Sequence, residues 1–197
     1  MNMLETSKKL PQIALLPGRD KSLANGHLWI FSGAIARGQN RAADGDYVRI
    51  ISSENRIMGY GLYSRTDSIA VRVIMGASED FLASMESRIR KALQLRKKTI
   101  LNLGSTTNCF RLLNAEGDGC PGLIIDIYNN VAVMQCHSVG MKLKANELAE
   151  IVTKVLPSIE VVYCKSSVST RGENPDFYIL GNTGEGEVLE NGLKYQV

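Results

Sequence analysis

Short runs in which apolar and polar residues alternate dominate the first third of the chain. The clearest covers residues 68–75, where Ile69, Val71 and Val73 point to one face of a strand. Turn-forming pairs, among them Asp44-Gly45, separate such runs. Strands are predicted at Gln12–Leu16, Asp46–Ser52, Arg56–Tyr63 and Ser68–Met75. Several short strands in close succession predict a small β-barrel or sandwich.

From residue 78 the pattern changes to that of an amphipathic helix. Phe81, Met85, Ile89 and Leu93 recur every four residues and therefore share one helix face, which predicts a helix over residues 78–98. The change of pattern also predicts a domain boundary. We expect an N-terminal extension over residues 1–11, a β-barrel over residues 12–78 and a second domain over residues 79–197.

The second half mixes strands with one further helix. Apolar positions over residues 141–156 predict this helix, which Pro157 ends. Asn129-Asn130 separates two β-rich runs and favours a tight hairpin, because asparagine tolerates left-handed backbone. Strands are predicted at Gly122–Tyr128, Val131–Cys136, Ile159–Cys164, Phe177–Leu180, Glu187–Glu190 and Leu193–Val197. The predicted fold class is α+β, a small β-barrel followed by a small α/β domain.

The composition is that of an ordinary globular protein and argues against several classes. Of 197 residues, 44% are hydrophobic and 22% are charged, which argues against long disordered segments. No apolar stretch approaches the ~20 residues of a membrane-spanning helix, and the first residues lack the apolar region of a signal peptide. The four cysteines form no C-x-x-C pair, which argues against a structural zinc site. We expect a cytoplasmic protein with reduced thiols, no metal and no membrane partner.

Basic residues are concentrated near the centre of the chain. Residues 81–110 carry six Lys or Arg and one acid, whereas residues 111–197 carry seven basic residues and eleven acids. A polyanion would therefore meet the first half of the chain. Candidate contacts on the predicted helix are Arg88, Lys91, Arg96, Lys97 and Lys98. An ordinary solvated helix face is the alternative.

A glycine-rich segment at residues 114–122 contains Glu116 and Asp118. It precedes a predicted strand rather than a helix N-terminus, which does not suit a phosphate-binding loop. The two carboxylates could bind a cation or act as an acid/base pair, but a tight turn with exposed carboxylates is the favoured interpretation. Neither Cys120 nor His137 has an activating partner nearby in the sequence.

The segment from Leu16 to Ile35 has the most unusual composition, because it contains the only tryptophan and one of the two histidines. In a nucleic-acid-binding protein, Arg19 and Lys21 would contact phosphate and His27 would lie near bases or sugar. The other aromatic residues, Trp29 and Phe31, are expected to fill the core of the small barrel.

Three segments resemble one known family. Residues 26–35 (GHLWIFSGAI) are similar to the signature GHPWVFSGAI of the bacterial 23S rRNA large-subunit methyltransferase I family, which comprises cytosine-5 methyltransferases that use S-adenosylmethionine. Residues 111–126 (RLLNAEGDGCPGLIID) resemble its element RLVNGEGDGLPGLIVD, and residues 190–197 (ENGLKYQV) resemble its element ENGLKF-V. The matches are collinear. Departures include Leu28 in place of the usual proline, Ile127 where arginine is frequent, and Lys165-Ser166-Ser167 in place of Arg-Ser-Asp.

The resemblance implies an RNA-binding PUA barrel followed by a central α/β domain. Family members continue with a Rossmann-like domain that carries the cofactor site and a catalytic cysteine after an Asp-Pro-Pro element. This sequence contains no Asp-Pro-Pro, so we expect the Rossmann-like domain to be absent from this chain.

These expectations define a functional prediction. The chain would be the RNA-binding part of an S-adenosylmethionine-dependent 23S rRNA methyltransferase, inactive alone, with no catalytic, cofactor-binding or metal-binding residue of its own. S-adenosylmethionine would serve the full-length parent, and ribosomal RNA would be the partner. The alternative is a stand-alone interaction or dimerisation module without RNA affinity, and the sequence leaves homodimer formation open.

Overall fold

The computed structural model describes residues 10–37, 41–99, 106–166 and 176–197. The predicted N-terminal extension therefore lies almost entirely outside the described residues. Within these four ranges, no helix is long and apolar enough to cross a membrane.

The first sheet is formed by five short strands of the N-terminal half. They are β1 (Gln12–Ala14), β2 (Trp29–Phe31), β3 (Tyr47–Ile51), β4 (Ile57–Tyr63) and β5 (Ile69–Ile74), with the short helix α1 (Lys21–Ala24) between β1 and β2. The strand order is β1-β3-β4-β5-β2, with β1 parallel to β3 and all other neighbours antiparallel. Just beyond the two edge strands, the Leu16 amide donates to the Ala34 carbonyl and the Ala36 amide donates to the Ala14 carbonyl, each at 2.9 Å. These bonds close the sheet on itself.

Alternate side chains along the strands point inward and fill the core that this sheet encloses. Ile13, Val48, Ile50 and Val71 are fully buried and form its centre. Strand β2 was not predicted from the sequence, because three residues are too few to show a period of two.

Helix α2 (Phe81–Thr99) connects the first sheet to the second half of the chain. It begins after Asp80, whose carboxylate accepts a hydrogen bond from the Ala83 amide at 3.0 Å. Met85 is fully buried, as the four-residue repeat predicts, whereas Leu82 at the edge of the stripe is 44% exposed.

The second sheet also has five strands, in the order β10-β9-β8-β7-β6. They are β6 (Cys109–Asn114), β7 (Leu123–Tyr128), β8 (Val131–Cys136), β9 (Val161–Ser166) and β10 (Phe177–Leu180). Strands β8 and β9 are parallel and the other pairs are antiparallel. The predicted Asn129-Asn130 hairpin between β7 and β8 is confirmed, with Asn129 at a φ of 57°.

The predicted fold class is wrong in this half of the chain. We expected a small α/β domain and no domain of the methyltransferase type, but the second half forms a five-stranded sheet with helices packed against it. The sequence pattern underestimated the sheet because its two edge strands are weakly patterned. Strand β6 was not recognised as a strand, and β10 was not assigned to the same sheet.

The remaining elements are short. Helix α3 (Val139–Leu143) and helix α4 (Ala145–Val155) replace the single predicted helix, and β11 (Glu187–Glu190) and β12 (Leu193–Gln196) form a separate antiparallel hairpin. Helix α4 places Leu148 and Val152 against the second sheet, where both are fully buried. The apolar face of this helix therefore belongs to the core of the second half.

The two halves share a hydrophobic cluster. Tyr47 and Leu62 of the first sheet pack in the same cluster as Phe81 of α2 and the apolar residues of the second sheet. The Tyr47 and Phe81 rings meet edge to face with centroids 5.2 Å apart. Gly140 lies so close to Leu62 that a Cβ there would be 3.0 Å from it. This packing joins the first sheet to helix α2 and to helix α3 of the second half.

Candidate nucleic-acid interface

The segment between β6 and β7 forms a single tight turn. Residues Ala115–Asp118 adopt a 3-10 helix that ends at Gly119 with a φ of 75°. The Gly119 carbonyl accepts a hydrogen bond from the Met75 amide of the first half at 2.9 Å. A Cβ at Gly119 would lie 2.7 Å from the Met75 side chain, so both the backbone angle and the close approach require glycine. We call residues 115–119 the acidic turn.

One carboxylate of the acidic turn is engaged by helix α2. Asp118 accepts two hydrogen bonds from the Arg96 guanidinium at 2.7 and 2.6 Å and a third from the Asn114 amide at 2.6 Å. The Arg96 and Asp118 side chains are only 12% and 9% exposed. Arg96, a predicted RNA contact, therefore has a structural partner in the described structure, and Asp118 is not poised as an acid or base.

The other carboxylate of the turn contacts the first sheet. Glu116 Oε1 accepts a hydrogen bond from Trp29 Nε1 at 2.9 Å, across 87 positions of sequence. Neither carboxylate contact was predicted from the sequence. No sequence signal identifies Arg96 or Trp29 as partners of this turn, because the pairing depends on how the two halves pack.

Strand β2 exposes a cluster of aromatic rings. Ile30 is 5% exposed and points inward, whereas Phe31 is 49% exposed and Trp29 is half-buried. The expectation that Trp29 and Phe31 fill the barrel core is therefore wrong. Trp29, Ile30 and Phe31 are all large and apolar, so no alternation of apolar and polar residues marks which side chain points inward.

The three rings contact one another. The His27 and Trp29 centroids lie 6.0 Å apart at 83°, and the Trp29 and Phe31 centroids lie 6.5 Å apart at 86°. The Trp29 amide also donates to His27 Nδ1 at 3.2 Å. We call His27, Trp29 and Phe31 the aromatic cluster. It lies on an edge strand of the first sheet.

Two of the predicted cations lie at the N-terminal end of helix α1. Arg19 and Lys21 are exposed, and Arg19 lines a cleft that also contacts Trp29 and Phe31. The structure thus brings Arg19 to the same cleft as the aromatic rings.

The predicted cations of α2 divide into two groups. Arg88 lies over the backbone of Gly76 and Gly119, because a Cβ at either glycine would fall within 3.2 Å of its guanidinium. Like Arg96, it is therefore packed against the protein. Lys91, Lys97 and Lys98 are exposed, and we call them the helix lysines.

None of the four thiols resembles an activated nucleophile. Burial raises the pKa of Cys120 to about 12, and burial also raises the pKa of Cys109. Cys136 and Cys164 are fully buried with their sulfurs 3.8 Å apart. No group of three or more His, Cys, Asp or Glu residues that could hold a metal ion occurs in the described ranges.

Comparison with known proteins identifies relatives of this chain. The family model of the PUA-like domain matches residues 13–75. The chain is 37% identical over 162 residues to ribosomal RNA large subunit methyltransferase I of Alteromonas mediterranea, covering 81% of the chain and 40% of that relative. It is 35% identical to the protein of the same name from Pseudoalteromonas translucida, covering 94% of the chain and 48% of that relative. The chain thus spans less than half the length of these curated relatives.

Solved structures extend the comparison to the fold. A protein from Streptococcus mutans assigned to the SAM-dependent methyltransferases matches with a TM-score of 0.75 at 18% identity, covering 94% of this chain and 47% of that chain. A second structure, assigned as a methyltransferase in complex with SAH, matches with the same TM-score and 19% identity. The matched part includes nearly the whole second half, so the prediction that the methyltransferase fold is absent from this chain is wrong. The chain contains a PUA-like domain and is homologous to ribosomal RNA large subunit methyltransferase I.

Proposed function

We propose that this chain docks ribosomal RNA for an S-adenosylmethionine-dependent methyltransferase that modifies cytosine at its 5 position in 23S rRNA. The observation that carries the docking role is the aromatic cluster on the edge of the PUA-like sheet, with Arg19 in the same cleft and Lys21 exposed on helix α1. Exposed rings suit stacking with unpaired bases, and cations suit the phosphate backbone. The names of the relatives support the methyltransferase assignment.

The helix lysines supply a second group of cations for the same polyanion. Lys91, Lys97 and Lys98 are exposed on helix α2, which contacts the acidic turn through Asp118, whereas the aromatic cluster contacts the turn through Glu116. Arg88 and Arg96 act differently, because they hold helix α2 to the turn. Of the eight predicted RNA contacts, we therefore propose that Arg19, Lys21, His27 and the helix lysines meet RNA.

The chemistry of cytosine-5 methylation needs a thiolate that adds to the pyrimidine ring. The chain's own thiols do not suit this step, because Cys120, Cys136 and Cys164 are fully buried and burial raises the pKa of Cys109 and of Cys120, the latter to about 12. We therefore propose that the 197-residue chain alone transfers no methyl group. Its role is to bind RNA, and the nucleophile belongs to other residues of the enzyme.

The acidic turn does not fit S-adenosylmethionine. Its carboxylates are already paired, Glu116 with Trp29 and Asp118 with Arg96. The turn also leads into strand β7 rather than into a helix N-terminus. The use of S-adenosylmethionine is therefore proposed from the relatives alone, and no binding site for it is assigned to this turn.

Addition of the purified 197-residue chain to unmodified 23S rRNA together with S-adenosylmethionine tests the proposal. We expect the chain to bind the RNA, the Trp29→Ala variant to bind it more weakly, and mass spectrometry of the RNA to show no new 5-methylcytidine. Absence of RNA binding, or a methyl group transferred by the chain alone, would overturn the proposal.

A stand-alone interaction module is the second candidate, and one observation favours it. The open face of the second sheet carries a cleft of about 360 Å³ lined by Tyr128, Tyr163 and Tyr178. Aromatic clefts of this kind suit protein contacts. This candidate predicts a concentration-dependent dimer in analytical ultracentrifugation together with no measurable RNA binding, whereas the docking proposal requires RNA binding in either oligomeric state.

A further inference from the structure

A cleft of about 280 Å³ lies beside strand β2. Its wall combines the Trp29 and Phe31 side chains with the Arg19 and Ser22 side chains of the α1 region. Aromatic surface next to a hydroxyl and a guanidinium is the combination that binds one base together with its phosphate.

The Trp29 indole is fixed at one edge of this cleft. Its only polar atom, Nε1, donates to Glu116 at 2.9 Å. His27 and Phe31 meet it nearly at right angles, at 83° and 86°. Neither neighbouring ring therefore stacks face to face on the indole.

We propose that this cleft takes one unstacked RNA base, which stacks on Trp29, and that Glu116 is the positioning residue that holds the indole for it. The inference rests on the proposed docking function and adds a named base contact to it. Arg19 lies at the same cleft and meets the phosphate of the stacked nucleotide.

The charge of Glu116 supports a positioning role rather than direct contact with the backbone. A carboxylate repels phosphate, so it does not itself attract RNA. It lies on the acidic turn, which helix α2 holds through the Arg96–Asp118 pair and the first half holds through the Gly119 carbonyl. Glu116 therefore presents its oxygen from a rigid support, which is what orienting a side chain requires.

Two probes separate stacking from phosphate binding. The first is a short oligouridylate, whose bases are largely unstacked, and the second is an oligomer of the same length and charge in which the bases are absent. Trp29 is the only tryptophan in the chain, so its fluorescence reports on this cleft alone. We expect the oligouridylate to quench this emission and to bind roughly 10-fold to 100-fold more tightly than the abasic oligomer, as one base–aromatic stack provides.

Matched substitutions test the role of Glu116. Glu116→Ala should weaken oligouridylate binding roughly 5-fold to 10-fold, because an unheld indole loses part of its stacking. It should not weaken abasic binding, because loss of the carboxylate removes repulsion of phosphate. Glu116→Gln keeps an oxygen that accepts from Nε1 and should bind nearly as the unchanged protein does. Thermal unfolding of both variants shows whether either has lost its fold.

Each outcome has a distinct meaning. Oligouridylate binding without quenching, or with equal affinity for the abasic oligomer, would overturn the base site and leave the docking function intact. Equal binding by the Glu116→Ala variant and the unchanged protein would overturn the positioning role. Absence of binding by both probes would overturn the site and the docking function together.

Discussion

The two carboxylates of the acidic turn make different kinds of contact on its two sides. On the side of helix α2, Asp118 meets Arg96 in a pair that is nearly buried. On the side of the first sheet, Glu116 meets a half-buried indole through a single hydrogen bond. The first contact fixes the helix, and the second leaves the aromatic surface accessible.

The difference between the two sides explains why predicted RNA contacts on one helix have different roles. Arg88 and Arg96 point toward the turn and pack against it, whereas Lys91, Lys97 and Lys98 point into solvent. Arginine suits the inward positions, because its planar guanidinium bonds a carboxylate through two nitrogens. Lysine suits the outward positions, because its ammonium stays hydrated on a flexible stem.

The largest expected effect comes from breaking the buried side of the turn. Asp118→Asn removes the charge that faces Arg96 and leaves a nearly buried guanidinium without a counter-charge, so we expect a loss of about 3 kcal/mol or more in the free energy of unfolding. Urea denaturation measures it. Glu86→Gln, at a half-buried carboxylate of the same helix whose partners Arg90 and Lys154 are exposed, is the matched control and should change stability less. Similar losses for both variants would contradict the difference between the two sides.

The next effect concerns the exposed side. Trp29→Ala removes the stacking surface, so affinity for single-stranded RNA should fall roughly 10-fold to 100-fold. Fluorescence anisotropy with a labelled oligouridylate measures it. Tyr178→Ala removes an aromatic side chain that is 43% exposed on the second sheet and should leave the affinity unchanged. An equal loss for both variants would show that exposed rings anywhere on the protein bind RNA.

The helix lysines should affect the salt dependence of binding more than its base preference. Replacing Lys91, Lys97 and Lys98 by Gln removes three cations from the α2 side. The log–log slope of affinity against salt should therefore become shallower by about 0.7 for each phosphate that these lysines no longer neutralise. The preference for oligouridylate over the abasic oligomer should persist. Lys194→Gln, at an exposed lysine paired with Glu187 on the separate hairpin, is the control. An unchanged slope in the triple variant would exclude these lysines from the interface.

The smallest expected effect is at the thiols. In the folded protein at pH 8, we expect a thiol reagent to modify Cys109 slowly and to leave Cys120, Cys136 and Cys164 unmodified, because these three are fully buried and thiolate is the reactive form. All four should react in urea. Rapid modification of Cys120 in the folded protein would contradict the burial that raises its pKa and would reopen its assignment as a nucleophile.

The sequence predicted most of the elements and missed two edge strands, β2 and β6. The four-residue repeat of α2 and the alternation of β5 were sufficient to place these elements. Strand β2 has three residues, and the edge strand β6 of the second sheet was not recognised, so that sheet was underestimated. The second sheet was consequently predicted with too few strands for the fold that it shares with the methyltransferase structures.

The residue types of the candidate site were predictable from the sequence, but the contacts between these residues were not. Arg19, Lys21, His27 and the helix lysines are exposed and available to a polyanion. The contacts of Trp29 with Glu116 and of Arg96 with Asp118 join residues 87 and 22 positions apart. Such contacts depend on the shared packing of the two halves, which no local pattern encodes.

Titration of the chain with a fragment of 23S rRNA at increasing salt tests the docking claim most directly. We predict measurable binding at about 50 mM salt, with affinity falling linearly on a log–log plot as several phosphate contacts release their counterions. Absence of binding at that salt, or an affinity that does not change up to about 200 mM, would contradict the claim.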